Sequence, residues 1–339
     1  MSRGRARRNA IAFALTVACC VGAAGCGGDD GDGDAGTEPF DLALDFYVNP
    51  DHVGIYEGID SGAFADAGLD VSPRVPSDPS APIKQVASGQ VDLAISYEPE
   101  VILARDQGLD VVAVAALAHG PLTSLISLPE AGIEEPADLE GTTIATAGIP
   151  YQTAYLETIL REAGLSPDDV NQVDVGFNLL QPVIAGRADA MLGGFLNVEG
   201  VQLAERGLDP VVVPVDELGI PRYDELVLVA DPDRLEEDPE PIRAFIDALG
   251  TATASAEEDP DAATDVLLEA APDLDPELTR AQVDATLPRL VSPEGKPFGY
   301  MDPAEWEEFA GFLADRGQIE TRYTADELLS NDLLPGSVP

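Results

Sequence analysis

The sequence predicts an α/β protein of two lobes, each a mostly parallel sheet covered by helices, with a cleft between them. Three observations carry this expectation. About 300 residues follow a polar N-terminal stretch, more than one core ordinarily organises and enough for two. Short β-rich runs alternate with helical stretches, the pattern of parallel strands joined by crossover helices. The alternation breaks near residues 129–139 and then restarts.

In order, Asp41 to Tyr47 reads as a strand, followed by a helix from Pro50, a strand at Leu69 to Pro73 and a helix at Ser80 to Ser88 that Gly89 stops. A strand at Val91 to Ser96, a helix at Glu98 to Gln107 and an apolar strand at Val111 to Leu117 complete the first series. The second series reads as strand Thr142 to Thr146, helix Tyr151 to Ala163, strand Val173 to Val175, helix Leu180 to Ala185 and strand Ala190 to Leu192. The strand Leu226 to Ala230 looks like a return to the first lobe, and four acidic helices follow. The expected division is a first part of lobe 1 at 40–127, lobe 2 at 128–222, and the return with C-terminal helices at 223–339.

The N-terminus reads as a secretory leader over residues 1–25. Arg3, Arg5, Arg7 and Arg8 form a basic region, and Ile11 to Val21 is uncharged and too short for a membrane span, which takes roughly 20 apolar residues. Ala23-Ala24-Gly25 before Cys26 resembles a bacterial lipobox, with Ala23 where Leu is usual, so Cys26 is the expected lipidation site and membrane anchor. Residues 26–39, rich in Gly and Asp, read as a solvated tether.

Cys19, Cys20 and Cys26 are the only cysteines, so the expected folded part has no disulfide, thiol nucleophile or cysteine metal site. With His52 and His119 the only histidines, no metal or cofactor is expected. The charge is −45, from 63 Asp+Glu against 18 Lys+Arg; removing the leader takes away four Arg and no acid, leaving 14 against 63, or −49. Such a surface excludes nucleic acid as a partner and fits either a salt-rich habitat or a biased genome composition.

Ligands of open α/β sheets bind beyond the C-terminal ends of strands. Four loops there carry aromatic and amide residues. In the first, Phe46, Tyr47 and Asn49 sit at a strand end and His52 on the following helix face; Asn49 before Pro50 reads equally as a helix cap, and His52 as a packed histidine. The second holds Tyr97 and Glu98, the latter also suited to the helix dipole. Gly148 and Tyr151 mark the third, and Gly194, Phe195, Asn197 and Glu199 the fourth. Tyr223 closes the set from the crossing segment. These loops supply flat rings, amides and carboxylates with Arg222 as the one nearby cation, an inventory for a planar, neutral or weakly basic heterocycle rather than an oxyanion.

Between Leu42 and Ala230 the pieces LDFYVNPDHVGIYEG, IKQVASGQVDLAISYEPE, GTTIATAGIPYQT, VGFNLLQPVIAGRADAMLGGFLNVEG and GIPRYDELVLVA occur in family-like order and spacing. At these residues the chain resembles the thiamine-pyrimidine type of solute-binding protein. The resemblance implies the type II periplasmic-binding fold and a monomer that holds a thiamine-precursor pyrimidine between its lobes and delivers it to an ABC transporter permease. Tyr97 and Glu98 fall in the family's Tyr-Glu-Pro piece and Asn197 and Glu199 in its Asn-x-Glu piece; on this reading Phe46, Tyr97 and Tyr151 are expected to stack on the ring while Asn49, Asn197 and Glu199 hydrogen-bond its edge. Asn178 falls in its Gly-Phe-Asn piece, and Asn49 and His52 in its Asn-x-x-His element. Departures are Phe46 for Trp, Phe195-Leu196 for Tyr-Trp, and Arg222 before Tyr223. Eukaryotic relatives are enzymes that build the pyrimidine from a bound vitamin and their own histidine, with a cysteine-rich iron-binding pattern. No cysteine follows Cys26 here, so no enzymatic activity is expected. A sulfonate, nitrate or aromatic-acid binder of the same fold is the alternative.

Overall fold

A computed structural model describes residues 36–336. The expected leader, the lipidated Cys26 and most of the tether lie outside the described residues. Among the described residues, ten strands form two five-stranded sheets. The first combines β1 (Glu38–Ala43), β2 (Leu69–Arg74), β3 (Leu93–Ser96), β4 (Val112–His119) and β10 (Asp224–Ala230) in the order β2-β1-β3-β10-β4. The second combines β5 (Thr123–Ser127), β6 (Thr143–Thr146), β7 (Asn171–Asp174), β8 (Ala190–Phe195) and β9 (Val211–Pro214) in the order β7-β6-β8-β5-β9. Each sheet has one strand antiparallel to its neighbours, β10 in the first and β5 in the second. These are the two strands that enter a lobe from the other one.

The first crossing is three residues long, between His119 and Thr123, which corrects the expected lobe boundary after residue 127. The run from Val112 to Ser127 is almost wholly apolar, so hydrophobicity alone cannot show that the chain changes sheets at Gly120-Pro121. A second correction concerns β1, which ends at Ala43, leaving Asp45 to Asn49 as a loop beyond the strand end. The return crossing runs from Pro214 to Asp224. Glu225 ties the crossings together: its carboxylate accepts the backbone N–H groups of Leu122 and Thr123 at 2.7 Å, the Thr123 hydroxyl at 2.8 Å and the Tyr223 hydroxyl at 2.8 Å.

Burial explains the element types. β4 and β10 carry Val, Ala and Leu on both faces because helices cover both sides. In the first lobe the helix Glu240–Glu258 inserts Phe245 between Phe40, 5.0 Å away, and Phe64, 4.9 Å away, in near-parallel stacks. Each fully buried aromatic of this kind contributes about 1.5–3 kcal/mol. The helix Pro303–Asp315 buries Trp306, whose indole N–H donates to Asp224 at 3.0 Å. The helix Pro276–Leu290 runs from the first lobe to the segment that follows β8, where Gln282 donates to the Val198 carbonyl at 2.9 Å. Among the described residues no helix is long and apolar enough to cross a membrane, and no group of three metal-ligating side chains occurs.

Candidate functional site

The loops after β1, β3, β6 and β8 converge on one narrow cavity, with room of only about 30 Å³ between its walls in this closed arrangement. Its walls are rings from both lobes: Phe46 and Tyr97 from the first, Tyr151 and Phe195 from the second. Tyr97 and Tyr151 meet across the lobes with centroids 5.2 Å apart. Polar groups are Asp45, Asn49, Gln152 and Glu199, and no cationic side chain lines the cavity.

Asp45 is held on both oxygens. The Tyr97 hydroxyl donates to Oδ2 at 2.8 Å, and His52 Nε2 stands 2.8 Å from Oδ1. His52 Nδ1 accepts the Asn49 backbone N–H at 3.3 Å, which leaves the ring proton on Nε2 and aims it at Asp45. His52 thus orients a site carboxylate from a fully buried position in the first lobe rather than facing the cavity. Asn49 lines the cavity while also capping the Pro50–His52 turn, its Oδ1 accepting the Asp51 N–H at 2.8 Å.

Glu199 lies on the π-helical turn Leu196–Gly200, its Oε2 accepting the Phe195 N–H at 2.8 Å. Burial pushes its carboxyl up to about 7, with Asp45 across the cavity adding to the shift. Gly193 has φ 109°, a backbone only glycine adopts easily, and the amide of Gln152 fills the space a side chain there would take. Gln152 Oε1 accepts the Ala147 N–H at 2.8 Å and thereby braces that wall.

Six of the expected residues line this cavity: Phe46, Asn49, Tyr97, Tyr151, Phe195 and Glu199. Tyr47 and Asn178 line an outer groove of about 670 Å³ that shares Phe46, Asn49 and Glu199 with it. There Phe177 packs on Phe46 at 4.7 Å and on Tyr47 at 4.3 Å, an aromatic seal between lobes.

The remaining candidates lie elsewhere. Asn197 is spent on Asp51 and Thr286, at 2.7 and 2.8 Å. Glu98 accepts the Asp224 N–H at 2.7 Å behind the site, and Tyr223 serves the crossing through Glu225. Gly148 is an exposed turn residue between two cavity-lining neighbours, and Gly194 packs on Met191 and Ile126, so Gly193 lines the cavity in place of Gly194. Strand alternation explains that swap, since adjacent residues face opposite sides. Asp45 and Gln152 were not among the candidates. The one signal for Asp45 is a carboxylate directly before an aromatic pair at a strand end.

A sequence profile described as NMT1/THI5 like matches residues 49–263. The formylaminopyrimidine-binding protein of Halalkalibacterium halodurans is 36% identical over 312 residues, covering 91% of this chain and 94% of the relative. The chain belongs to the NMT1/THI5 like family. Within it, a putative thiamine biosynthesis protein of Haemophilus influenzae is 32% identical, covering 83% of this chain and 88% of its own. A 4-amino-5-hydroxymethyl-2-methylpyrimidine phosphate synthase of Saccharomyces cerevisiae is 26% identical, with 73% and 75% covered. Among solved structures, the alkanesulfonate-binding protein of Xanthomonas axonopodis superposes with a TM-score of 0.68 at 14% identity, covering 87% of this chain and 99% of that one. This family member therefore has the periplasmic binding protein fold. The family match begins at Asn49, so Asp45 and the ring of Phe46 precede the matched segment while sharing its cavity.

Proposed function

We propose that this chain is the extracytoplasmic solute-binding component of an ABC importer, anchored through a lipid on Cys26 and acting as a monomer, and that it captures an aminopyrimidine of the thiamine-precursor class, such as formylaminopyrimidine. One observation carries the reading: two carboxyl groups, Asp45 and Glu199, face a cation-free cavity walled by four aromatic rings from two lobes. Asp45 receives hydrogen bonds from Tyr97 and His52 and so acts as an acceptor, matched to an exocyclic amino group. Glu199, pushed up to about 7, retains a proton in a large share of molecules at neutral pH and can donate to a ring nitrogen. An acceptor and a donor facing one cavity suit the amino group and ring nitrogen of a 4-aminopyrimidine, and the rings hold its faces.

The cavity chemistry argues against an oxyanion ligand, which calls for arginine or several free N–H groups. The synthase activity named for the yeast relatives is disfavoured as well, because no cysteine follows Cys26 to supply the cysteine-rich iron-binding pattern of such enzymes. Lobe closure about the two crossings is the capture step.

Titration calorimetry with formylaminopyrimidine tests the assignment, beside a thermal-shift panel including taurine and nitrate. The expected result is one bound pyrimidine per chain with stabilisation by pyrimidines alone. Stabilisation by taurine or nitrate with silence toward pyrimidines overturns it, as does turnover of the ligand by the purified protein.

A further inference from the structure

Asn197 is one of the three residues expected to hydrogen-bond the ligand, and it bonds the other lobe instead. It sits on the Leu196–Gly200 turn of the second lobe, two residues before Glu199. Its amide N–H₂ donates to Asp51 Oδ1 at 2.7 Å in the first lobe and to Thr286 Oγ1 at 2.8 Å on the helix Pro276–Leu290. All three residues are buried. Within this contact two atoms have no hydrogen-bond donor among the described residues: Asp51 Oδ2 and Asn197 Oδ1. With Asp51 ionised, both are acceptors in a buried contact, an arrangement that leaves polar atoms unsatisfied at a cost. The Asp51 carboxyl is the one group of the pair that can become a donor.

We propose that Asp51 and Asn197 form a protonation-gated latch that holds the two lobes closed and positions Glu199 in the cavity. When the lobes part, Asp51 regains water and its carboxyl returns toward the ordinary range; when they close, burial favours its neutral form. Closure and proton uptake are thus linked. Burial pushes Asp51 up to about 7 in the closed form, opposed by His52 and the Asn197 hydrogen bond and reinforced by Asp45 and Glu199. On its other side Asp51 borders a small cavity that it lines with Gly54, Ile55, Leu117, Leu249, Thr253, Leu290 and Phe298, none of which is ionisable. The sign follows: the latch is strongest below the open-state value of Asp51 and weakens as pH rises through about 7.

The inference rests on the interlobe capture reading, but its main test needs no ligand. Small-angle scattering of the full ligand-free chain between pH 5 and 8 reads lobe closure directly. The wild type becomes more compact as pH falls. Asp51→Asn, whose amide supplies the missing donor at any pH, stays compact throughout, and Asn197→Ala stays expanded. A second readout is formylaminopyrimidine affinity at pH 8, where Asp51→Asn binds at least about tenfold more tightly than the wild type, since the closed-state value of about 7 lies well above the ordinary 3.8 and each unit is a factor of ten. Because Glu199 and Asp51 influence each other's charge, the comparison is repeated in a Glu199→Gln background, where the remaining difference isolates Asp51. Wild-type dimensions that ignore pH, or an Asp51→Asn profile that tracks the wild type, overturn the latch. Should Asn197→Ala fail to fold, Asp51→Asn alone decides. Absence of pyrimidine binding together with pH-dependent compaction refutes the ligand assignment and leaves the latch standing.

Discussion

Tyr97 donates its hydroxyl proton to Asp45 Oδ2 at 2.8 Å across 52 residues of chain, and both residues are nearly inaccessible to solvent. The bond turns a ring that walls the ligand cavity into a brace for the carboxylate that faces it. Burial and the Asp45 charge both push the Tyr97 phenol up, so it remains a donor at any physiological pH.

Asp45→Asn removes the charged acceptor while keeping the shape. A hydrogen bond to a charged group contributes about 1.5–3 kcal/mol, so ligand affinity measured by calorimetry falls about 10–100-fold. Tyr97→Phe, which loses only the brace, costs less, about 0.5–1.5 kcal/mol. Equal losses from both substitutions are inconsistent with this division of roles.

Glu199 titrates in the working range, and the direction of its effect is fixed by its raised value, about 7. The protonated form donates to the ligand, so wild-type affinity is full below that value and declines above it. Glu199→Gln keeps a donor that does not titrate, and its affinity profile is flat over the same interval. Glu199→Ala weakens binding about 10–100-fold at pH 6. A Glu199→Gln profile with the wild-type slope removes Glu199 from proton donation.

Gly193→Ala places a methyl group 2.7 Å from Gln152 Cδ at a φ that L-residues rarely adopt. The strain costs about 1–3 kcal/mol, read as a lowered melting temperature. It also pushes Gln152 from the Ala147 N–H it accepts. Weakened binding accompanies the destabilisation; a variant that melts lower but binds normally shows that Gln152 is not part of the site.

Several buried carboxyl groups make stability depend on pH. Glu100, held by the Ser96 hydroxyl at 2.6 Å, is pushed by burial from an ordinary 4.5 to about 7. A group raised on folding contributes stability that is fully present below its unfolded value and is lost as pH climbs through its folded one. Melting temperature therefore drops between pH 5 and pH 8, and Glu100→Gln, which can still accept from Ser96, removes part of that slope. An unchanged slope in the variant places the effect elsewhere.

The alternation of strands and helices, the capped Asn49-Pro50 turn and the aromatic loops were legible in the sequence because each depends on neighbours close in the chain. Local hydrogen bonding and side-chain periodicity leave their mark within a few residues. For the same reason the cation-poor character of the cleft followed from which residue types its loops contain.

Tertiary structure alone decided which polar side chains meet the cavity and which meet each other. Asn197 and Glu199 stand two residues apart, yet the first is drawn to Asp51 and Thr286, 146 and 89 positions away, and the second lines the ligand site. His52 and Tyr97 became supports for Asp45 by the same kind of distant pairing. A buried polar atom takes whichever partner the packed fold brings within about 3 Å, and chain order carries no record of that distance.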